Sequence, residues 1–345
     1  MTISIARLAR TRWLQNGHLL RPTSTYLCKP MSFSTTCCCM KQADTAQAPE
    51  KQKKTDGDPR INDLGRAIED DFATIRANYE TPKNPIVLAH GLLGFDELRL
   101  AGSLLPGVHY WRGITEAMRA NGMEVITASV PASGSIEERA LKLGQDIASK
   151  ANGKSVNIIA HSMGGLDARY MISRLQPDNV NVLSLTTVAS PHRGSSFADF
   201  VFQEIGPSYI PHFYKLFERV GMGTGAFKQL TRKYMQEEFN PKTPDAPGVQ
   251  YFSYGATVNP SIWSAFRQPQ RIVQRMEGPN DGLVSVESAK WGTYKGTLVD
   301  VSHLDLINWT NRLRWVVWQI AGNERKFNAI AFYLDIADML AKEGL

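Results

Sequence analysis

The sequence predicts an α/β protein built on a mainly parallel, doubly wound sheet of about six strands, and three observations support this prediction. Short apolar runs rich in β-branched residues alternate along the chain with stretches of helical periodicity. One of these runs leads through a serine, Ser162, directly into a helical pattern. A long, aromatic-rich segment interrupts the alternation once, which indicates a helical insertion over the sheet.

The six apolar runs are separated by helical patterns rather than by tight turns. Alternation of this kind is typical of strands joined by helical crossovers, which place the strands side by side and parallel. The strands are expected over residues 86–89, 125–130, 156–160, 182–189, 250–255 and 297–301. Helices are expected around Trp111, Ile114 and Met118, over residues 136–151, and from Leu166 onward.

The composition is that of an ordinary globular protein, and it excludes several functions. The 345 residues are 43% hydrophobic, yet no run approaches the roughly 18 apolar residues of a membrane-spanning helix. The formal charge of +6 comes from residues 1–43, which hold six basic and no acidic residues, whereas the remainder has 33 of each sign. A near-neutral body gives no sign of a nucleic-acid partner.

All four cysteines also lie in this basic leader, at Cys28, Cys37, Cys38 and Cys39. The rest of the chain has none, so neither a disulfide nor a cysteine metal site is expected there. The run of three is interpreted as part of a leader that is removed, with acylation as the alternative.

The first 81 residues divide into three parts. Residues 1–40 are rich in arginine, serine and threonine and lack acids, which is typical of a mitochondrial transit peptide; a disordered basic leader is the alternative. Residues 41–60 are polar and are interpreted as a linker. An apolar stripe predicts an N-terminal helix over 61–81, and the catalytic domain is expected to span 82–345. The stripe consists of Ile61, Leu64, Ile68, Phe72, Ile75 and Tyr79.

The insertion is placed at residues 195–249. It holds ten aromatic residues between positions 197 and 239, and three closely spaced glycines follow a helical apolar stripe. A long apolar insertion with such joints predicts a mobile lid over a site, and a helical pair docked permanently on the core is the alternative. The stripe expected to meet substrate or lipid consists of Ile210, Phe213, Phe217 and Val220.

Ser162 is the leading candidate for a catalytic residue. Five strand-forming residues run into it, and Met163, Gly164 and Gly165 connect it to the helical pattern. A strand, a sharp turn and a helix form the setting of a nucleophile elbow, where small neighbours let the two backbones approach each other. The pattern reads A-x-S-x-G, with Ala160 in place of the usual glycine. A bare serine turn after a buried strand is the alternative unless Ser162 has partners.

Chain order selects those partners. On sheets with such an elbow, the acid follows the serine and the histidine follows the acid. Of the seven histidines, only His303 lies beyond the last predicted strand, where a loop can bring an imidazole over the serine. Asp281, in the turn sequence Pro-Asn-Asp-Gly, is the preferred acid. Its rivals are Glu277, Glu287 and Asp300.

These three groups predict acyl transfer through a serine nucleophile. Ser162 is expected to attack an acyl carbonyl, His303 to move its proton to the leaving alcohol, and Asp281 to orient the imidazolium. The oxyanion formed by this attack needs two backbone donors. One is expected from the N–H of Met163, and the other from the N–H of Leu92 in the glycine- and leucine-rich turn after the first strand.

Several further segments match a known family in their order along the chain. They are residues 86–92 (IVLAHGL), 110–114 (YWRGI), 160–170 (AHSMGGLDARY), 187–195 (TVASPHRGS), 198–201 (ADFV), 280–284 (NDGLV) and 303–305 (HLD). On these residues the chain resembles the bacterial true lipases and their fungal mitochondrial triacylglycerol lipase relatives. Seven matches in order are more specific than the serine motif alone.

The resemblance implies an α/β-hydrolase fold, a helical lid after Phe200 and hydrolysis of acylglycerol esters. It also raises a calcium ion near the catalytic histidine, which the bacterial relatives hold partly with an aspartate like Asp305. The second carboxylate is expected near Asn259, where this chain has no acid, and calcium takes roughly six to eight oxygens. We therefore expect no required cofactor, with calcium at Asp305 as the alternative. The disulfide of some relatives cannot form, because the body lacks cysteine.

The chain is thus predicted to be a serine ester hydrolase of the lipase type. It is expected to act on triacylglycerol or diacylglycerol at a lipid droplet or membrane surface, and to be imported into mitochondria. A phospholipase or an acyltransferase with the same triad is one alternative. A catalytically silent binding module on the same fold is another, and a complete Ser–Asp–His set in order argues against it.

Overall fold

Seven parallel strands build one sheet in the part of the chain that the computed structural model describes, residues 64–92, 110–132, 134–203, 224–259, 266–309 and 327–345. The strands are β1 (Ala67–Ile68), β2 (Ile86–Ala89), β3 (Val125–Thr127), β4 (Val156–His161), β5 (Val182–Val188), β6 (Gln250–Thr257) and β7 (Thr293–Val299). Their order across the sheet is β1-β7-β6-β5-β4-β2-β3. The six predicted strands are all present, the last of them beginning at Thr293 rather than at residue 297, and the predicted α/β fold class is confirmed.

Helices connect the strands and cover both faces of the sheet. They are α1 (Ile114–Ala120), α2 (Ile136–Lys150), α3 (Gly164–Tyr170), α4 (Ser196–Gln203), α5 (Thr224–Gln229), α6 (Arg232–Tyr234), α7 (Asn240–Lys242), α8 (Arg267–Met276), α9 (Val286–Ala289) and α10 (Ala329–Lys342). Two π-helical turns, Met171–Leu175 and Met235–Phe239, extend α3 and α6. None of the described helices has the length and apolarity that crossing a bilayer requires.

The central strands contribute side chains to a hydrophobic core on each face of the sheet. Successive side chains of a strand point to opposite faces. Ile86, Leu88 and Ile159 therefore pack with α1 and α10 on one side. Val87 and Ile158 pack with α2 and α3 on the other. Every residue of β2 and β4 is buried, as expected of parallel strands covered on both faces, so the residue that ends β4 is held firmly in place.

The predicted helix over 61–81 is wrong over the part that the structure describes. That part contains β1 and otherwise forms turns and extended backbone. Its apolar residues are anchored one by one: Ile68 is buried where β1 pairs with β7, and the ring of Phe72 lies 5.1 Å from that of Phe332 on α10. These tertiary contacts outweigh the local helical pattern, because propensity is a weak preference.

The predicted insertion at 195–249 is largely helical where it is described. The predicted lid stripe of Ile210, Phe213, Phe217 and Val220 lies outside the described residues. The part of the insertion that follows residue 223 packs on the core, since Met235 and Phe239 are buried in one cluster with Met163 and Leu166. This part therefore has the docked arrangement that was the alternative to a mobile lid.

Candidate active site

The chain turns sharply at Ser162, between β4 and α3. Ser162 has a φ of 56°, a left-handed conformation that costs a non-glycine residue roughly 1–3 kcal/mol and that its surroundings must hold. Its N–H donates to the carbonyl of Val188 in the neighbouring strand at 2.9 Å. A Cβ at Gly164 would lie 2.7 Å from the carbonyl oxygens of Ala89 and His90, so glycine is needed for α3 to begin this close to the sheet. The turn has the geometry of a nucleophile elbow.

Asp281, His303 and Ser162 form one chain of hydrogen bonds. Nδ1 of His303 lies 2.6 Å from Oδ2 of Asp281, and Nε2 of His303 lies 3.0 Å from Oγ of Ser162. Because a carboxylate only accepts, Nδ1 carries the imidazole proton and Nε2 is left to accept the proton of Ser162. Asp281 and His303 are only 1% and 5% exposed, so water competes little for these bonds. The structure brings together the three residues that chain order selected.

The turn that contains Asp281 also fixes its carboxylate. Oδ1 accepts hydrogen bonds from the N–H groups of Leu283 and Val284 at 3.0 and 2.9 Å. An aspartate commonly stabilises its own turn in this way. The N–H of His303 donates to the carbonyl of Asp281 at 2.9 Å. Oδ2 is therefore left to face the imidazole, and both the backbone and the ring of His303 are tied to the same residue.

The rival acids are engaged elsewhere. Glu277 accepts hydrogen bonds from the N–H of Ser196 at 2.6 Å and from the hydroxyl of Ser285 at 2.5 Å, which ties the start of α4 to the acid turn. Glu287 and Asp300 bond to other residues near the surface. The position of Glu277 explains why it competes with Asp281 in sequence reasoning, since both belong to the same loop region.

Leu92 and Met163, the predicted oxyanion donors, flank Ser162 from two elements. β2 and β4 pair in parallel up to the last residue of β2, so the loop after β2 lies beside the elbow. A Cβ at Gly91 would stand 2.7 Å from the Cβ of Ser162, which shows how closely the loop approaches. Neither the N–H of Leu92 nor that of Met163 donates to another described residue, and both are available to an oxyanion.

The imidazole of His90 sets the direction of the Leu92 N–H. Nδ1 of His90 lies 2.9 Å from the carbonyl oxygen of Gly91, and Nε2 accepts from the N–H of Val130 at 3.3 Å. The carbonyl of Gly91 and the N–H of Leu92 belong to one planar peptide and point in opposite directions. Burial, assisted by the charge of Arg139, lowers the pKa of His90 to about 4. The ring is therefore neutral near pH 7 and holds the peptide through its Nδ1 proton.

Tyr110 and His161 hold the other side of Gly91. The N–H of Gly91 donates to the Tyr110 hydroxyl at 3.1 Å, and that hydroxyl lies 2.6 Å from Nδ1 of His161. Burial, followed by the charge of His303, keeps the pKa of His161 well below its ordinary value. Nδ1 of a neutral His161 accepts a hydrogen bond from the Tyr110 hydroxyl. The ring of His161 packs 4.5 Å from the ring of His303. The loop after β2, which carries the predicted donor Leu92 and is called the oxyanion loop below, is thus tied to the residue that precedes Ser162.

A fully buried arginine, Arg139 on α2, joins the oxyanion loop to α3. It donates to the carbonyls of His90 and Pro131 at 2.7 and 2.6 Å, and its Nε and Nη2 lie 2.9 and 2.7 Å from Oδ2 of Asp167. Burial raises the pKa of Asp167 to about 6, although Arg139 opposes the shift, so the pair is ionised at neutral pH. The two elements that carry the predicted donors are therefore held in a fixed relation.

Sequence reasoning missed these supporting residues to different degrees. Tyr110 and His161 lie in segments that resemble the lipases, so the segments were identified but not the roles of these side chains. Arg139 carries no sequence signal, because an arginine in an amphipathic helix is ordinarily exposed. Its role is visible only in the structure, where it contacts Asp167, 28 positions further along the chain, and the carbonyl of His90.

Asp305 and Asn259, the two positions considered for calcium, have protein partners among the described residues. Oδ2 of Asp305 accepts from the N–H and the hydroxyl of Ser302 at 3.1 and 2.6 Å. Asn259, the expected second position, donates its amide to Asp300 instead. Across the described ranges, no three acidic, histidine or cysteine side chains converge in the way a metal ion needs. The expectation of no required cofactor, with calcium at Asp305 as the alternative, stays a prediction.

The chain is similar to known lipases and esterases. A family model for serine esterases, DUF676, matches residues 136–241. The chain is similar to Triacylglycerol lipase 2 of Saccharomyces cerevisiae, with 39% identity over 326 residues that cover 79% of this chain and 96% of the yeast protein. It is also similar to a Triacylglycerol lipase of Vibrio cholerae, with 37% identity over 274 residues that cover 68% of this chain and 83% of the bacterial protein.

Two solved structures share the architecture. The Staphylococcus hyicus lipase has a TM-score of 0.55 at 20% identity, covering 77% of this chain and 98% of the lipase. The metagenomic carboxyl esterase MGS0156 has a TM-score of 0.60 at 20% identity, covering 78% of this chain and 79% of the esterase. At this identity the likeness concerns the fold alone, and it confirms the predicted α/β-hydrolase fold.

Proposed function

Because this chain belongs to the triacylglycerol lipase family and is a serine ester hydrolase, we propose that it cleaves acylglycerol esters with Ser162 as the nucleophile. The observation that carries the proposal is the hydrogen-bonded chain from Asp281 through His303 to Ser162, with distances of 2.6 and 3.0 Å. Membership of an enzyme family removes the alternative of a catalytically silent binding module.

The reaction follows from the positions of these groups. Oγ of Ser162 attacks the ester carbonyl while Nε2 of His303 takes its proton, and the N–H groups of Leu92 and Met163 bind the resulting oxyanion. Asp281 stabilises the imidazolium. Collapse breaks the ester C–O bond, and His303 returns the proton to the leaving alcohol. Water then attacks the acyl-enzyme by the same route, which releases the fatty acid and restores Ser162.

Labelling with a fluorophosphonate probe tests the nucleophile. The probe should modify Ser162, and Ser162→Ala should abolish labelling and lower turnover on the order of a million-fold, as triad deletions do elsewhere. Ser149→Ala on α2 is the matched control, because Ser149 lies near the far end of that helix and should change neither result. Labelling at another serine, or full turnover in Ser162→Ala, would overturn the proposal.

The substrate class is decided by a second assay. A phospholipase or an acyltransferase would use the same triad with a different acyl donor or acceptor, so geometry at Ser162 alone does not separate them. Release of fatty acid from triacylglycerol, diacylglycerol and phospholipid should be measured with the same preparation. Acylglycerols should be hydrolysed faster; a phospholipid preference, or transfer to an added alcohol without net hydrolysis, would favour the alternatives.

Binding to a lipid droplet or membrane surface is proposed from the predicted lid stripe, which lies outside the described residues. Each apolar side chain gains roughly 1.5–3 kcal/mol when it leaves water for an apolar phase. The double variant Phe213→Ser/Phe217→Ser should flatten the rise in rate that follows when a short-chain ester exceeds its solubility. Turnover of the dissolved ester should survive, and loss of both activities would contradict a lid.

Mitochondrial localisation is proposed from the acid-free, arginine-rich composition of residues 1–40. A fusion of these residues to a fluorescent reporter should colocalise with mitochondria. A second fusion with Arg7, Arg10 and Arg12 changed to glutamine is the control and should lose the localisation. Diffuse fluorescence from the unaltered fusion would contradict the proposal.

A further inference from the structure

Helix α8 presents a row of arginines at the surface. Arg267, Arg271 and Arg275 recur every four residues, and α8 contains no acidic residue. Residues at this spacing share one side of a helix and follow one another about 6 Å apart along its axis. Arg271 and Arg275 are exposed and Arg267 is half-buried, whereas Gln270 and Val273 face the core.

The side chains of these arginines have no polar partner within the described ranges. None of their three side chains forms an ion pair or a hydrogen bond there, in contrast to Arg139 and Arg232, each of which pairs with a carboxylate. Their guanidinium groups, with donors in a planar fork, are therefore free to meet an anion from outside.

The spacing of the row and its first arginine oppose the stability of the helix, although the macrodipole favours Arg275 in the last turn. Like charges four residues apart destabilise a helix by roughly 0.2–0.5 kcal/mol per pair, and α8 holds two such pairs. Arg267 also begins the helix, where the macrodipole disfavours a cation, and the capping residue Phe266 has no side-chain acceptor. Broken local rules of this kind are expected where a sequence serves a function.

Helix α8 borders the proposed active site. The side chain of Gln270 donates to the carbonyl of Val258, directly after β6, at 2.6 Å. Asn280 donates to the carbonyl of Gln270 at 3.3 Å, and a Cβ at Gly282 would meet Phe266 at 3.1 Å. These contacts set α8 against the loop of the catalytic acid. Because all strands are parallel, their carboxyl ends share one edge, and α8 lies on the edge that carries Ser162.

We propose that the outer face of α8, formed by Arg267, Arg271 and Arg275, is a docking surface for a membrane containing anionic phospholipid. Arginine binds phosphate oxygens with two parallel hydrogen bonds. The surface would hold the catalytic edge against the bilayer from which the lipid substrate is taken, so in this respect the inference rests on the proposed function.

Vesicle binding of the full chain tests the surface. The probes are phosphatidylcholine vesicles with and without phosphatidylglycerol, and the Ser162→Ala background prevents hydrolysis from altering them. The triple variant Arg267→Gln/Arg271→Gln/Arg275→Gln should bind anionic vesicles more weakly, by about fivefold per arginine and on the order of a hundredfold in all. The difference should shrink as salt is raised.

A matched variant removes the same charge from the opposite edge. Lys83, Arg119 and Lys154 are exposed beside the amino ends of β2, β3 and β4. The triple change of these residues to glutamine should leave anionic-vesicle binding within about twofold of the parent, since a charge facing away from the membrane contributes little. The residues 1–43 with their six cations are common to both variants and do not affect the comparison.

Three outcomes would overturn the docking surface. The first is that the two triple variants bind anionic vesicles equally, and the second is that the parent binds neutral vesicles as tightly as anionic ones. The third is that the α8 variant loses affinity for RNA and keeps its affinity for vesicles, which would make the row a nucleic-acid surface instead. Turnover of a dissolved short-chain ester, measured with Ser162 intact, separates this test from the proposed function. The α8 variant should keep that turnover; absence of ester hydrolysis in the parent would refute the function and leave the vesicle result readable.

Discussion

The hydroxyl of Tyr110 lies 2.6 Å from Nδ1 of His161, the residue directly before the proposed nucleophile. The same oxygen accepts from the N–H of Gly91, which leaves its own proton for the imidazole. One phenol thereby joins the oxyanion loop to the elbow, and both sides of the proposed oxyanion hole depend on its position.

Removal of this hydroxyl should impair turnover more than binding. In Tyr110→Phe the ring keeps its packing against Trp111, but the buried N–H of Gly91 loses its acceptor and the loop loses its tie to His161. Because the oxyanion donors act on the transition state, we expect kcat to fall roughly tenfold with KM little changed. Steady-state kinetics on a dissolved ester measure both.

Tyr333→Phe is the matched control for Tyr110→Phe. Tyr333 is fully buried, and its hydroxyl has no hydrogen-bond partner among the described residues. Its loss should leave kcat unchanged and raise the free energy of unfolding slightly, because an unpaired buried hydroxyl is costly. Equal kinetic effects of the two variants would contradict a specific role for Tyr110.

Asp281→Asn should inactivate the protein without unfolding it. The amide would present a donor to Nδ1 of His303, which moves the imidazole proton to Nε2 and prevents it from accepting the proton of Ser162. A loss in kcat on the order of ten-thousandfold is expected. Glu277→Gln, altered in the same loop region, should instead cost about 1–2 kcal/mol of stability and spare kcat. A reversed pattern would make Glu277 the catalytic acid.

Gly91→Ala should be harmful on steric grounds alone. The added Cβ would stand 2.7 Å from the Cβ of Ser162, so the loop or the elbow must move by about 0.7 Å or more to reach an ordinary contact of 3.4 Å. Misplacement on the scale of 1 Å costs about a hundredfold in rate, and a fall of that order in kcat is expected. Gly144→Ala on α2 meets its neighbours at ordinary distances of 3.4 Å and more and should leave kcat unchanged. Native kcat in Gly91→Ala would contradict the close approach.

The Arg139–Asp167 pair should both stabilise the fold and position the oxyanion loop. Arg139→Met leaves a buried carboxylate without its partner and should lower the free energy of unfolding by about 3–5 kcal/mol. The double variant Arg139→Met/Asp167→Leu should recover most of this stability, because apolar replacements of a buried pair are tolerated. Its kcat should stay low, since the carbonyl of His90 still lacks its donor. Urea unfolding and ester kinetics separate the two effects, and full recovery of kcat would leave the pair a purely structural role.

His90 should make the fold sensitive to mild acid. Its pKa is about 4 in the folded protein, against an ordinary value of 6.5 that applies to the unfolded chain. Between these pH values the unfolded chain binds the extra proton, so stability falls as pH falls. From pH 7 to pH 5 this group should cost roughly 2 kcal/mol. His90→Asn keeps a donor for the carbonyl of Gly91 but cannot titrate, so its free energy of unfolding should decline less over this range. An unchanged decline would refute the assignment.

The parts of the molecule that sequence reasoning reached share one property. Ser162 and His303 follow predicted strands closely, and Asp281 lies in the connection between the last two predicted strands. A parallel sheet gathers the carboxyl ends of its strands at a single edge. Their roles also depend on residue type and chain order, both of which are visible in the sequence. Topology and chemistry together were therefore enough to select them.

The parts that it missed depend on contacts between distant segments. The apolar stripe over 61–81 has the spacing of a helix, yet the position of Phe72 is set by its contact with Phe332, far along the chain. Arg139 likewise has the pattern of a surface residue until Asp167 and the carbonyl of His90 are brought to it by the fold. Local patterns carry no information about such partners, which is why both outcomes needed the structure.

The two-residue strand β1 has a consequence for the order in which the molecule assembles. It pairs with Thr297 and Leu298 of β7 across most of the chain length, and contacts of such large sequence separation form slowly. Until they form, β7 is an open edge whose unpaired backbone groups invite another chain. A molecule that refolds before β1 docks is expected to pass through a state in which this edge is bare, and concentrated solutions should aggregate from that state, strand to strand. A chain begun at residue 82 would remain in it permanently, with its triad complete.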